Sequence, residues 1–380
     1  MRRSGSPFTG VGAIALKEAA DPSARMHMIM LLVILTALGA VYGSIGRLRD
    51  TTAEDAYLFL KLFTVAQDPL PSFAAFLGFL LPLVSIALGF DAINGEFNRR
   101  TMSRVLAQPI YRDAMLFGKF LGGLIVLAVS LLTLWLLMVG LGMLFLGLPP
   151  SGGDIVRSVA WLVVTLAYAG VWLALAIALS TLIRTPATSA LAALSVWLIL
   201  AVFWGMVAPL VAGVVAPVDP LDPASILNSF EWRQAISRLS PQTPYGEVTG
   251  ILLDPAARSV GPLFMHQLHG AVIGSPLPTG QSLLIVWPQI SALIAAMLAL
   301  FTAAYVVFQR QEIRALLLVS WRHLRAAEAA RRCEWREHSG GLSTIHASSV
   351  QHRYAMSRGF GGHLHAHTVN PSRSYGSVPS

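Results

Sequence analysis

Six stretches of this 380-residue chain each run for more than 20 residues without a Lys, Arg, Asp or Glu. Nothing else in the sequence restricts the fold as strongly. A helix rising 1.5 Å per residue needs about 20 apolar residues to cross a hydrocarbon core roughly 30 Å thick. No water is present there to satisfy backbone N–H and C=O groups, so such stretches must be helical. The composition agrees: 12% of residues are charged, against the roughly 25% that a soluble chain carries to cover its core. The expected fold is therefore an all-α polytopic membrane protein with six transmembrane helices.

The spans are expected at about 26–46, 73–90, 120–148, 158–183, 187–216 and 284–308. A signal peptide competes for the first. The long polar segment before it, its length and the lack of a clean A-x-A site after it argue for a span. Pro82 interrupts the second, and Pro149-Pro150-Ser151-Gly152-Gly153 turns the chain after the third. Arg184-Thr185-Pro186 leaves so short a turn that spans four and five must be antiparallel neighbours.

Between spans five and six, residues 217–283 are rich in Pro and Gly. Asp222-Pro223 reads as an N-cap followed by proline in the first helical turn, opening a helix near 224–239. The moderately apolar stretch 259–276 is expected to be interfacial or re-entrant.

Basic residues set the orientation. Twenty of the 27 lie in 1–25, 91–119, at Arg184 and from Arg310 onward; seven lie in the alternate segments. Acidic residues divide evenly, so the positive-inside rule places both termini in the cytoplasm and 217–283 outside. The same placement explains the net charge of +8 without nucleic acid as a partner.

Residues 1–25 read as a cytoplasmic amphipathic leader, with Phe8, Val11 and Ile14 preceding Lys17-Glu18. Residues 26–314 form the transmembrane domain. Residues 315–380 form a basic cytoplasmic tail: 315–337 suggest a helix, and 338–380 lack apolar periodicity and are expected to be disordered.

Several chemistries find no support. There is no G-x-x-x-x-G-K-[ST] phosphate loop, H-E-x-x-H or G-x-S-x-G. The span cores lack the ionisable residues that proton-coupled carriers use, although a sodium site of carbonyls and hydroxyls stays open. One cysteine, Cys333, excludes an internal disulfide framework. His363, His365 and His367 alternate in the tail, where a disordered polar segment explains them better than a metal site does. No catalytic, cofactor-binding or metal-ligating residue is expected.

The informative segment is 91–119, DAINGEFNRRTMSRVLAQPIYRDAMLFGK. Asn94-Gly95 is expected to break the second span's helix. Glu96 leads an Arg-rich stretch in which Met102, Val105 and Leu106 share one face of a short helix, and Gln108-Pro109 stops it. An amphipathic helix held between two spans at the cytoplasmic surface suits docking into a partner's groove. Anchoring of span ends by arginines at lipid headgroups explains the same spacing equally well.

This segment resembles the signature of ABC-2-type transporter permeases, including the multidrug-type and nitrous-oxide-reductase-maturation permeases. The matching positions are Asp91, Glu96, Thr101, Val105-Leu106, Pro109, Arg112 and Gly118-Lys119; Arg100 departs from the pattern, standing where many members have Gly. Weaker likeness extends through Lys17-Glu18, Leu239-Ser240-Pro241 to Asp254-Pro255, and Phe308 to Arg314.

The resemblance implies a permease subunit without its own ATPase. Its partners would be a nucleotide-binding subunit carrying ATP and Mg, and a second permease copy or paralogue. The loop between spans two and three would be the coupling helix, with Asp91, Glu96, Arg99, Arg100, Thr101, Arg104, Gln108, Pro109, Arg112 and Lys119 coupling it to the ATPase. An ATP-independent secondary carrier and a membrane scaffold or maturation subunit are the alternatives.

Overall fold

The computed structural model describes residues 11–20, 58–66, 71–98, 112–147, 149–219, 221–255 and 277–338, with a few isolated positions between 34 and 48. Apart from Ile34, Gly39, Ser44, Ile45 and His338, the expected first span, the stretch 259–276 and the segment 338–380 lie outside the described residues.

Every described element is helical: α1 Val11–Ala20, α2 Leu58–Thr64, α3 Phe73–Gly89, α4 Asn94–Asn98, α5 Arg112–Leu146 and α6 Gly152–Leu182. They are followed by α7 Pro186–Val215, α8 Pro223–Ser237, α9 Gln242–Leu253 and α10 Thr279–His338. Five are long and apolar enough to cross a membrane: Phe73–Glu96, Asp113–Phe145, Gly152–Leu182, Pro186–Val215 and Thr279–Arg310. They correspond to the expected spans two to six. The chain divides into two units, Met1–Glu312 and Ile313–Ser380; in the second, the described residues are helical to His338.

The helix limits follow local chemistry. Ser151 opens α6 with a capping box: its hydroxyl accepts from Asp154 N at 3.2 Å, and Asp154 Oδ2 accepts from Ser151 N at 3.0 Å. The chain can reverse before it because Gly147, at φ 68°, takes the left-handed conformation that a side chain disfavours. Asp222 caps α8 as the sequence suggests, accepting from Ala224 N at 2.9 Å. The second span's helix breaks at Phe90–Ile93, a few residues before the expected Asn94-Gly95, and Asn94 instead opens α4.

At the centre stands α6. Two-thirds (67%) of its most apolar window is buried inside the protein, against 11% for α7 and 17% for α10. Trp161, Tyr168 and Trp172 are fully buried along it. Helix α3 lies so close that a Cβ on Gly89 would stand 2.7 Å from Ala176 Cβ and 3.2 Å from Leu173 O. Such small-residue contacts are how helices pack where lipid offers no hydrophobic drive. On other faces of α6 are α5, where Gly123 meets Leu173, and α10, where Met297 fills the space beside Gly170. Phe117 and Phe120 of α5 pack on Phe301 of α10 with ring centroids 4.9 and 4.6 Å apart.

Helices α8 and α9 are two splayed arms joined at Leu239–Pro241. The first lies along the last part of α7, where Trp204 Nε1 donates to Ile236 O at 3.0 Å. At the tip, Ser240 Oγ donates to Leu200 O at 2.7 Å, inside a π-helical turn, Leu198–Phe203, that interrupts α7. That turn lies midway along the helix, where π geometry exposes a carbonyl for such a bond. The second arm climbs α6: the Tyr168 hydroxyl lies between Gly78 O (3.0 Å) and the Gln242 side-chain amide, Tyr168 stacks on Tyr245 at 4.3 Å, and Trp161 Nε1 donates to Thr249 Oγ1 at 3.1 Å. Above them Arg157, 4% exposed, donates to Ser282 Oγ (3.1 Å), Leu277 O and Leu252 O. Tyr168 is the seventeenth of α6's 31 residues, so the tip between the arms reaches mid-span.

Gly89→Val should separate α3 from α6 and cost about 1–3 kcal/mol by overpacking. Gly140→Ala, with nothing within 4 Å of its Cβ, should be neutral or stabilising by up to ~1 kcal/mol. Thermal unfolding of both variants in detergent tests this; equal midpoints would refute the close contact.

Candidate functional site

The segment 91–119 enters and leaves the spans through a junction built from five helices. Its first turns, Asp91–Asn98, are held to the turn between α6 and α7. Ser180 Oγ accepts from the backbone N–H of Ile93 (3.0 Å) and of Asn94 (3.2 Å). Asn94 Nδ2 donates to Phe90 O (3.2 Å) and Ile183 O (3.1 Å), and Asn98 Nδ2 to Arg184 O (3.3 Å). Asn94 and Ser180 are each 1% exposed. Buried amides need partners, and one serine hydroxyl supplies them for two consecutive residues just where the helix has stopped bonding itself.

The two ends of the segment meet. Lys119 Nζ lies 3.4 Å from Glu96 Oε1, with side-chain exposures of 9% and 25%. A pair this shielded is screened less than a surface ion pair. Gly95 N donates to Asp91 O at 3.0 Å. On the return, Gln309 of α10 donates to Asp113 in the first turn of α5. Helix α1 lies along the same part of α5, so close that a Cβ on Gly118 would fall 2.6 Å from Ile14 Cγ2.

Of the expected coupling residues, Asp91, Glu96 and Lys119 are therefore brought to one junction. Arg112 opens α5. Arg99, Arg100, Thr101, Arg104, Gln108 and Pro109, with the short helix they were expected to form, lie outside the described residues. Sequence reasoning missed Asn94 as a tie, Ser180, and the Gln309–Asp113 bond. A buried serine near a span end looks like any helix-packing serine, so no signal in the sequence marked Ser180.

The arrangement is mechanical. Its side chains bond to backbone and to other side chains across elements, linking Asp91–Asn98 to α5, α6 and the turn into α7. Among the described residues no three His, Cys, Asp or Glu side chains converge as a metal site would require; His363, His365 and His367 lie outside them.

A family model described as "ABC-2 family transporter protein" matches residues 13–313. Two curated relatives carry the description "Probable ABC transporter permease protein NosY". The one from Pseudomonas aeruginosa is 32% identical over 130 residues, covering 32% of this chain and 42% of the relative. The other, from Stutzerimonas stutzeri, is 37% identical over 70 residues, covering 18% and 25%. The chain thus matches less than half the length of each.

Ser180→Ala should leave the N–H groups of Ile93 and Asn94 buried without an acceptor, at a cost of ~1–3 kcal/mol. Ser130→Ala, which removes only a bond back to Val126 O within its own helix, should stay within ~0.5 kcal/mol of the parent. Melting the two variants side by side in one detergent checks the contrast, and an unchanged Ser180→Ala midpoint would contradict it.

Proposed function

The chain belongs to the ABC-2 family of transporter proteins, and we propose that it is the permease subunit of an ATP-driven transporter. It works with a separate nucleotide-binding subunit that holds ATP and Mg, and with a second permease copy or paralogue. It spans a bacterial inner membrane six times, with both termini in the cytoplasm, and the reaction is export of a solute.

The observation that carries this reading is the junction at the two ends of 91–119. A segment that only anchored span ends at headgroups would need no buried ties to other helices. Here its ends are linked to each other by Glu96–Lys119 and to the α6–α7 turn by Asn94 and Ser180. A coupling helix must be connected in this way if a push from an ATPase is to move several spans together. The basic-residue asymmetry supports the orientation, and the descriptions of the two relatives support the permease assignment. Asp91, Glu96, Arg99, Arg100, Thr101, Arg104, Gln108, Pro109, Arg112 and Lys119 are the residues proposed to couple the spans to the ATPase.

Reconstitution with the cognate nucleotide-binding subunit tests the assignment. Glu96→Ala and Arg104→Glu should each abolish permease-stimulated ATP hydrolysis while the variants still insert and purify with the membrane fraction. Stimulation at the parent level in both would refute the coupling role. Transport that followed an ion gradient in vesicles without ATP would replace the proposal with a secondary carrier.

A further inference from the structure

The span cores carry no Asp, Glu, Lys, Arg or His, yet the splayed arms bring an Arg and a Glu to the same depth. Arg238 Nε lies 3.1 Å from both Glu247 oxygens, and Glu247 Oε2 also accepts from Gln289 Nε2 at 3.0 Å. Two measures of depth agree. Along α10, Gln289 is the eleventh residue from Thr279, about 15 Å from that end. Along α6, the contacts of α9 put Glu247 between Trp161 and Tyr168, roughly 15–20 Å from Gly152. Helices of about 30 residues overhang a 30 Å hydrocarbon core by several ångströms at each end. The ion pair therefore sits inside the hydrocarbon layer, on the Ser151 side of its middle.

Facing lipid, a charged pair at that depth would cost several kcal/mol, and such residues instead face protein interior or water. The pair is not enclosed by the chain itself: the Arg238 side chain is 38% exposed and Glu247 14%. Gln289, 5% exposed, keeps Oε1 without a donor among the described residues.

The rest of that face follows the same rule. On α9, Thr243, Gly246, Glu247 and Gly250 recur at helical spacing opposite the buried Tyr245, Val248 and Leu252, and Gly246 and Gly250 are exposed. Helices α5, α6, α7, α8 and α10 all expose large apolar side chains, among them Met206 (70%) and Leu210 (72%) of α7, while α9 exposes none. One helix at hydrocarbon depth thus shows only small and polar groups outward.

We infer that this face of α9, with the Arg238–Glu247 pair beside it, lines a water-filled cleft that opens toward Leu221 and admits a hydrophilic solute. The inference deepens the permease reading and rests on it for calling the cleft part of a transport path; the wetness of the face is measured independently of that reading. The ion pair is the cleft's charged wall. Its partnership with Gln289 ties that wall to α10, so the cleft's width follows the position of α10 against the two arms.

Cysteine accessibility in the full-length protein in intact membranes tests it. The chain has one cysteine, so Cys333→Ser provides the background. Gly246→Cys and Gly250→Cys introduce thiols where nothing lies within 4 Å of the Cβ. Leu221→Cys, at a position 92% exposed, identifies the accessible side, and Met206→Cys and Leu210→Cys report the apolar surface of α7. The probe is a small, charged, membrane-impermeant thiol reagent, itself a hydrophilic solute. Added to the side that labels Leu221→Cys, it should modify at least one of the Gly246→Cys and Gly250→Cys variants on the order of tenfold faster than the α7 variants. Labelling of both no faster than Leu210→Cys would overturn the inference. So would spontaneous disulfide cross-linking of two copies through Gly246→Cys, which would make the face a protein interface. Failure of the unmutated protein to stimulate ATP hydrolysis in the reconstitution experiment, with the labelling intact, would refute the permease reading and leave the wet cleft standing.

Discussion

The described fold depends on α6 being a helix inside a shell of helices. In a bilayer its backbone satisfies itself, so burial adds no hydrogen-bonding cost there, and its side chains are free to choose partners. Small residues then decide how near those partners come. Gly89 lets α3 close on Ala176, Gly123 lets α5 close on Leu173, and Gly170 leaves room for Met297. Dispersion across such contacts replaces the hydrophobic effect that holds a soluble bundle together. The polar ties then act on elements that packing has already placed.

Those ties gather at the two ends and the middle of α6. At the Ser151 end, buried Arg157 takes two backbone carbonyls and a serine from elements distant in sequence. At mid-span, Tyr168 and Trp161 bond and stack along α9. At the Leu182 end, Ser180 and Ile183 receive the start of 91–119. A single helix thereby connects the proposed point of energy input to the arms that flank the inferred cleft. The π turn of α7, bonded through Leu200 O to Ser240, gives the same arms a second attachment at the same depth. A junction that moves and arms that respond need not touch each other, because α6 touches both.

Much of the helical architecture could be read from the residues. Uncharged blocks marked the five described spans, and Asp222-Pro223 marked the start of α8. Asp91, Glu96 and Lys119 were legible through the likeness to a family signature. The depth reached by residues 223–253 was not. Their arms carry Arg238, Glu247 and many polar residues, which on hydropathy alone read as a surface segment. Arg157 was similarly counted among loop charges, although the fold buries it. In both cases the missing information was a set of partners supplied by remote parts of the chain: Gln289, Tyr168 and Leu200 for the arms, and Ser282 and Leu277 for Arg157.

By itself the sequence determined which segments must be helices at hydrocarbon depth, because burying an unpaired backbone in lipid is costlier than any side-chain preference. It also determined helix limits, through caps and prolines whose chemistry is local. Only the tertiary structure decided which helix stands at the centre, how far the α8–α9 tip descends, and which charges end up at membrane depth. Those outcomes rest on pairings between residues as much as 196 positions apart, as in Asp113 and Gln309. Local sequence carries no record of such pairings, because each partner's side chain alone is compatible with many neighbours.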